Sequence, residues 1–127
     1  MDLNLSGKHA LVCGGSEGIG RAAAHELALL GADVTVLARR AERLQAVAAA
    51  LPHVYEGQRH DWIAADVADQ DALQAQVETL VKTRAIHVLI NNTGGPPGGR
   101  AIDAHASAYL DAFHRHLLAN HALVQAV

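Results

Sequence analysis

A glycine-rich turn is the first segment of the chain whose residue types could do chemistry. Residues 14–20 read G-G-S-E-G-I-G and directly follow a short apolar run. Glycine adopts left-handed backbone without strain, and its missing side chain lets a ligand approach the main chain closely. A helix that begins at this turn would add free N–H groups and a favourable dipole for a phosphate. The turn therefore predicts a nucleotide phosphate site, and an ordinary strand-to-helix turn is the alternative. The predicted contacts are Gly14, Ser16, Gly18, Ile19 and Gly20, with the carboxylate of Glu17 directed to solvent.

The end of the second apolar run indicates which nucleotide would bind. In a dinucleotide-binding sheet, an acid at the end of the second strand binds the ribose 2′-hydroxyl of NAD. Residues 36–40 read V-L-A-R-R, so two arginines stand at this place. A guanidinium donates paired, charged hydrogen bonds to phosphate, which favours the 2′-phosphate of NADP and makes NAD the second choice. Arg39 is the first candidate, Arg40 is the second, and Arg43 lies one helical turn further along. The alternative is that these arginines are solvated on the helix and balanced by Glu42.

Short apolar runs alternate with stretches of helical spacing, which predicts the elements that position these residues. The apolar runs lack polar alternation and so fit strands that are covered on both faces, as in a parallel sheet. A β-α-β-α-β-α-β-α order is typical of an α/β fold, a doubly wound parallel sheet with helices on both faces. The glycine turn then joins the first strand to the first helix, at the ligand crevice of such a sheet. The predicted strands are residues 9–13, 33–38, 62–65 and 87–90, with loops at 52–61 and 92–106.

Apolar residues at helical spacing predict which face of each helix is buried. Asp69 stands where an N-cap of the third helix is expected, and Gly31 follows the end of the first. The predicted faces are Ile19, Ala23, Leu27 and Leu30 in the first helix, Leu44, Val47, Ala48 and Leu51 in the second, Leu73, Val77, Leu80 and Val81 in the third, and Leu110, Phe113, Leu117, His121 and Val124 in the last.

Composition and charge exclude several classes of protein. Half of the 127 residues are hydrophobic and the net charge is −3, which excludes disorder and gives no general attraction to nucleic acid. The single cysteine, Cys13, excludes an internal disulfide and a cysteine zinc site, and the nine histidines lack metal-ligand spacing. No apolar run reaches the ~18 residues of a membrane span, and no signal-peptide pattern is visible. We therefore predict a cytoplasmic protein that binds neither nucleic acid nor membranes and holds no metal.

Four motifs in the same order resemble the short-chain dehydrogenase/reductase family, and the resemblance covers essentially the whole chain. The first, C-G-G-S-E-G-I-G at residues 13–20, is similar to the family's T-G-x-x-x-G-I-G cofactor turn, with Cys13 in place of threonine. G-A-D-V-T-V follows at residues 31–36, A-D-V at 65–67, and N-N-T-G at 91–94, where the family has N-N-A-G. The resemblance implies a Rossmann-like sheet, truncated to the strand order 3-2-1-4, with residues 1–127 as a single NAD(P)-binding domain.

The resemblance also implies an enzyme. It would be an NADP-preferring oxidoreductase that transfers hydride between the nicotinamide and a small-molecule carbonyl or alcohol substrate. Asp66 would accept a hydrogen bond from the adenine amino group, with Val67 beside it. Asn91 and Asn92 would hold the cofactor and tie neighbouring strands, and Gly94 would border the nicotinamide pocket. The last helix of family members pairs with its mate across a dimer interface, which implies a homo-oligomer here.

The catalytic groups of the family are missing from the chain. They are a serine and a Y-x-x-x-K signature after a fifth strand, whereas neither Tyr55 nor Tyr109 has a lysine four residues later. We therefore expect the N-terminal half of a family member, a fragment that is inactive alone and exposes the outer edge of its fourth strand. The family's helix asparagine would match His116 or Asn120, and its role is transferred to neither. The alternative is a non-catalytic dinucleotide-binding or interaction module that is complete at this length.

Overall fold

The computed structural model describes residues 2–127 and contains a parallel sheet of four strands. The strand order is β3-β2-β1-β4, so β1 lies between β2 and β4. The predicted α/β fold with the order 3-2-1-4 is confirmed. The strands are β1 (His9–Cys13), β2 (Asp33–Ala38), β3 (His60–Ala64) and β4 (Val88–Ile90).

The helices follow the strands in the predicted alternation. They are α1 (Gly18–Leu29), α2 (Ala41–Ala50) and α3 (Gln70–Thr83), and the last helical region consists of α4 (Ala106–Ala112), a π-helical segment (Phe113–Leu118) and α5 (Ala119–Ala126). Asp69 caps α3 as predicted, because its side chain accepts a hydrogen bond from the Ala72 N–H at 3.1 Å. Among residues 2–127, no helix is both long enough and apolar enough to cross a membrane.

β1 and β2 have the predicted bounds, whereas β3 and β4 differ from theirs by one or two residues. β3 begins at His60 rather than at residue 62, because its backbone already pairs there with Val34 of β2. β4 begins at Val88, one residue later than predicted, and a 3-10 helix (Ala101–Asp103) forms within the predicted loop at 92–106. β4 is one of the two edge strands of the sheet, and its side chains are only half-buried.

Helices α1 and α2 cover the first face of the sheet. Alternate residues of the central strands, such as Ala10 and Val12 of β1, point into this layer and are fully buried. The predicted buried face of α2 is confirmed, because all of its members lie in this core. They are Leu44, Val47, Ala48 and Leu51.

The predicted buried face of α1 is offset by one residue: Leu27 packs against this core and is partly buried, whereas Leu30 is exposed. Ile19 was expected to face the core, but its side chain is 80% exposed. The buried line of the helix is instead Gly20, Ala24 and Ala28. These small residues let α1 approach the strands closely. The spacing of large apolar side chains does not indicate a face of this kind. The shift turns Ile19 away from the core and toward the carboxyl ends of the strands.

Helices α3 and α5 cover the second face. The predicted face of α3 is confirmed at Leu73 and Val77, which are fully buried, while Leu80 and Val81 pack against the same core and are partly buried. The buried members of this layer are Leu11, Cys13, Leu37, Leu73, Val77, Ala119, Leu123 and Ala126.

The predicted buried face of the last helical region is wrong. Leu110, Phe113, Leu117 and Val124 are between 48% and 62% exposed, and His121 is also exposed. A π-helical turn contains more residues than an α-helical turn, so a spacing of 3.6 residues does not continue across the π-helical segment. The side that packs on the sheet and α3 consists of Ala119, Ala122, Leu123 and Ala126.

Histidine rings connect the amino-terminal ends of the strands, at the edge of the sheet away from the carboxyl ends. The Val34 N–H donates to His60 Nδ1 at 3.2 Å, and His9 Nε2 and Thr35 Oγ1 form a hydrogen bond of 2.8 Å. Burial lowers the pKa of both His9 and His60, because a charged imidazolium loses its hydration there. The fold therefore favours the neutral form of both rings.

Candidate functional site

The candidate site lies at the carboxyl ends of β1 and β4, where the connecting helices pass to opposite faces of the sheet. α1 follows β1 on the first face, whereas α3 precedes β4 on the second. Open α/β sheets bind ligands at such a switch point. The two strand ends meet closely, because a Cβ built on Gly14 would lie 2.1 Å from the carbonyl oxygen of Asn92. Gly14 also has a φ of 63°, so both space and backbone conformation require glycine there.

The start of α1 is open to an incoming anion. The backbone of Glu17 is extended and its side chain makes no capping hydrogen bond to the helix. The first-turn N–H groups therefore keep their capacity to donate to a ligand, and the helix dipole adds to the attraction. A Cβ on Gly18 would meet nothing within 4 Å, whereas one on Gly20 would lie 2.2 Å from the Gly14 carbonyl oxygen. A packed glycine behind the turn and an open one in front of it fit the pyrophosphate of a dinucleotide.

A cleft of about 470 Å³ opens at this turn. This volume lies in the range of small-molecule sites, about 300–1,000 Å³. A second cavity of about 310 Å³ adjoins it, and Arg39, Val67 and Gly94 line both. The structure thus brings most of the predicted binding residues together in one cleft. Those that line it are Gly14, Ser16, Gly18, Ile19, Arg39, Arg40, Val67, Asn92 and Gly94.

The remaining predicted residues lie around the cleft. Asp66 lines the second cavity, and its Oδ1 accepts a hydrogen bond from the Ala68 N–H at 2.9 Å, which orients the carboxylate. Gly20 is buried behind the glycine turn. Asn91 is exposed and lines neither cavity. The structure therefore places Asn91 outside both cavities, whereas its neighbour Asn92 lines the first and Asp66 lines the second.

Arginine side chains dominate the rim of the cleft at the end of β2. Arg39 and Arg40 lie there as expected, and Arg43 joins them from the first turn of α2. Arg43 Nη1 lies 2.7 Å from Glu17 Oε2. Glu17 therefore forms an ion pair at the cleft and is not simply directed to solvent, and it is the partner of Arg43 in place of Glu42. Sequence reasoning missed this pair because its members lie 26 residues apart and belong to different connections.

The π-helical segment places a histidine beside the cleft. His116 Nδ1 and Thr93 Oγ1 form a hydrogen bond of 3.1 Å, and Thr93 lines the cleft. His116 itself lines the second cavity. Its Nε2 and the Oδ1 of Asn120 are buried and find no hydrogen-bond partner among residues 2–127. Of the two positions that could match the family's helix asparagine, His116 is thus the one bonded to the segment after β4.

Other side chains that could take part in a reaction are buried, hydrogen-bonded elsewhere or distant from the cleft. Burial raises the pKa of the Cys13 thiol to about 12, so this residue is not a nucleophile at neutral pH. The hydroxyl of Tyr109 donates to the Ala101 carbonyl oxygen at 2.9 Å. Tyr55 lies beside Leu29, at the end of α1 far from the glycine turn. Within residues 2–127, no group of three or more histidine, cysteine or acidic side chains is arranged to hold a metal ion.

Comparison with known proteins identifies relatives across nearly the whole chain. The sequence model of one family, described as short chain dehydrogenase, matches residues 8–127. Human 15-hydroxyprostaglandin dehydrogenase [NAD(+)] is 38% identical over 93 residues, which are 72% of this chain and 35% of that protein. The chain spans less than half the length of the curated relatives that it matches.

Solved structures match the whole fold. L-sorbose reductase from Gluconobacter frateurii, complexed with NADPH and L-sorbose, has a TM-score of 0.89 and 30% identity, covering 100% of this chain and 48% of that one. A short chain dehydrogenase from Burkholderia cenocepacia J2315, in complex with NADP, has a TM-score of 0.85 and 36% identity, covering 97% and 50%. The cleft of this chain therefore lies in a fold that accommodates nicotinamide dinucleotides in similar proteins.

Proposed function

The chain belongs to the short chain dehydrogenase family, whose sequence model matches residues 8–127, and we propose that it forms the cofactor-binding half of an NADP-preferring oxidoreductase. The reaction of the whole enzyme would be hydride transfer between the nicotinamide and a small-molecule carbonyl or alcohol. The observation that carries the proposal is the uncapped start of α1 within a cleft rimmed by Arg39 and Arg40. A helix N-terminus attracts the pyrophosphate, and arginines attract a further phosphate.

Individual residues have separate roles in this proposal. The first-turn N–H groups of α1 and the hydroxyl of Ser16 donate to the pyrophosphate. Asp66 accepts from the adenine amino group, and Val67 packs beside the ring. Asn92 and Gly94 form the wall toward the nicotinamide, whose ring supplies or receives the hydride when it is bound. In this assignment the chain binds and orients the cofactor.

The preference for NADP rests on the residues after β2. Arg39 and Arg40 occupy the place where an NAD-binding sheet carries an acid for the ribose 2′-hydroxyl. The similar structures from Gluconobacter frateurii and Burkholderia cenocepacia contain NADPH and NADP, whereas the human relative is named for NAD(+). Family membership alone therefore does not decide the nucleotide, and the two arginines support NADP.

Removing the guanidinium of Arg39 tests the proposal. We expect Arg39→Ala to weaken NADP+ binding by about 10-fold to 100-fold, because a charged hydrogen-bonding partner of the 2′-phosphate is lost. Binding of NAD+, which lacks that phosphate, should stay within about twofold. Titration calorimetry measures both affinities. Arg21→Ala is the matched control, because it removes an exposed arginine that does not line the cleft.

Two results would contradict this assignment. Equal weakening of NADP+ and NAD+ by Arg39→Ala would show that the arginine does not recognise the 2′-phosphate. Failure of the unmodified chain to bind either dinucleotide saturably would refute cofactor binding itself.

We further propose that the 127-residue chain is inactive alone. Tyr109 is held by its bond to Ala101, and Tyr55 lies far from the glycine turn, so neither is positioned to exchange a proton at the cleft. The expected result is cofactor binding without turnover of carbonyl or alcohol substrates, measured by NADPH absorbance. Turnover that Tyr109→Phe abolishes would contradict this interpretation.

The exposed apolar row on the last helical region supports a homo-oligomer. The row consists of Leu110, Phe113, Leu117 and Val124. A second copy that covered it would remove this apolar surface from water. We expect the chain to sediment as a dimer, and we expect Leu117→Glu to dissociate it. Leu3→Glu is the control and should leave the dimer intact, because Leu3 is 57% exposed and Leu117 is 56% exposed. A dimer that persists in Leu117→Glu would place the interface elsewhere.

A further inference from the structure

An ion pair links two segments that border the cleft. Glu17 belongs to the glycine turn between β1 and α1, and Arg43 belongs to the first turn of α2. Their closest atoms, Oε2 and Nη1, lie 2.7 Å apart, and both residues line the cleft. The side chains are 74% and 50% exposed, so solvent and a ligand can reach either partner.

Because of this ion pair, the arginines of the rim are not equally available to an anion. Three arginines line this end of the cleft, and among residues 2–127 only Arg43 has a carboxylate partner there. Arg39 and Arg40 are thus available to an anion without displacing another group. Arg43 is available only if it leaves Glu17 or if its guanidinium contacts Glu17 and the anion at the same time. Glu17 can hold Arg43 because its side chain is not used to cap α1.

We propose that Glu17 is a specificity-determining residue, which competes with the 2′-phosphate of NADP for Arg43 and so reduces the preference for NADP over NAD. This inference rests on the proposed function. A phosphate monoester carries a charge of about −1.5 to −2 at neutral pH, which Arg43 can meet from the rim where Arg39 and Arg40 lie. NAD lacks that phosphate, so its binding leaves the pair of Glu17 and Arg43 unchanged.

The expected size of the effect follows from the exposure of the pair. Exposed ion pairs contribute about 0.2–1 kcal/mol, which corresponds to about 1.4-fold to fivefold in a binding constant. Releasing Arg43 from Glu17 should therefore strengthen NADP+ binding by a factor of about three to five, the upper part of this range, since the phosphate carries more than one charge. The gain should diminish in about 0.5 M salt, because added ions screen exposed charges.

A double-mutant cycle separates this competition from simple repulsion. Glu17 could instead act by repelling the phosphates directly, and it would then affect NADP+ and NAD+ alike through their common pyrophosphate. We would measure the dissociation constants of both dinucleotides by titration calorimetry for the unmodified chain, Glu17→Gln, Arg43→Ala and the double variant. Glu42→Gln is the matched control, because it removes an acidic charge from the same turn of α2 without removing the partner of Arg43.

The competition predicts a specific pattern. Glu17→Gln strengthens NADP+ binding threefold to fivefold and leaves NAD+ and the Glu42→Gln control within about 1.5-fold. Arg43→Ala weakens NADP+ binding, and adding Glu17→Gln to it restores nothing. Glu17→Gln changes an exposed side chain to one of nearly the same shape, so we expect the urea midpoint to stay constant.

Three outcomes would overturn the inference and leave the proposed function intact. An equal gain for NADP+ and NAD+ assigns Glu17 to repulsion of the pyrophosphate. A gain of the same size in the Arg43→Ala background shows that Arg43 is not involved. No gain at all, in a chain whose NADP+ affinity still depends on Arg39, shows that the pair does not influence recognition while the proposed function stands. Absence of binding by either dinucleotide refutes the proposed function, and this inference falls with it.

Discussion

Replacing Gly20 by alanine tests the close contact between α1 and the glycine turn. A Cβ at this position would lie 2.2 Å from the carbonyl oxygen of Gly14 and 2.7 Å from its carbonyl carbon. Both are backbone atoms that cannot rotate away. The start of α1 must therefore move outward by about 1 Å to restore ordinary van der Waals contact. That movement displaces the N–H groups proposed to bind the pyrophosphate.

Two opposing effects set the magnitude. Alanine is a better helix former than glycine by about 1 kcal/mol, which alone would stabilise α1. Overpacking of a well-packed contact costs about 1–3 kcal/mol, and the rigid backbone neighbours here put the cost at the upper end. We therefore expect Gly20→Ala to lower the free energy of unfolding by about 2 kcal/mol. We also expect it to weaken binding of both NADP+ and NAD+, because their common pyrophosphate contacts are displaced.

Urea unfolding, followed by circular dichroism, measures the stability, and calorimetry measures the binding. Gly98→Ala is the matched control, because a Cβ at Gly98 would meet nothing within 4 Å and its φ is not in the left-handed region. It should stay within about 0.5 kcal/mol of the unmodified chain. A Gly20→Ala chain as stable as the unmodified chain, with unchanged affinity for both dinucleotides, would refute the close approach of α1 to the turn.

Further predictions concern pH, the cap of α3 and the core. Burial lowers the pKa values of His9 and His60 below 6.5, so the unfolded chain takes up protons first on acidification. Their contribution to stability should be complete above pH 6.5 and decline as pH falls through the lowered values, and a constant urea midpoint would contradict this. Asp69→Ala should cost about 1 kcal/mol through loss of the N-cap, and an unchanged midpoint would show that the cap is dispensable. Leu73→Ala should cost about 2–5 kcal/mol, whereas Leu3→Ala, at an exposed site outside the proposed interface, should stay within about 0.5 kcal/mol. Similar losses in these two leucine variants would refute the assignment of buried and exposed residues.

The faces of the helices show where sequence reasoning succeeds and where it fails. The buried face of α2 was predicted correctly because its large apolar residues carry the contact. The face of α1 was missed because Gly20 and Ala24 achieve burial by close approach, which depends on the shape of the neighbouring turn. In the last helical region the π-helical segment changes the residues per turn, so regular spacing selected an exposed row.

The sequence by itself determined the order of the elements, the strand order through its resemblance to a known family, and the position of the glycine turn. These follow from local patterns, because apolar runs, helical spacing and glycine positions act over a few residues. Only the tertiary structure decided the pair of Glu17 and Arg43, the contact of Thr93 with His116, and the separation of Asn91 from the cleft. Each depends on how segments distant in sequence meet at the carboxyl ends of the strands. The distances and orientations of these side chains result from the packing of whole helices on the sheet, which no local pattern encodes.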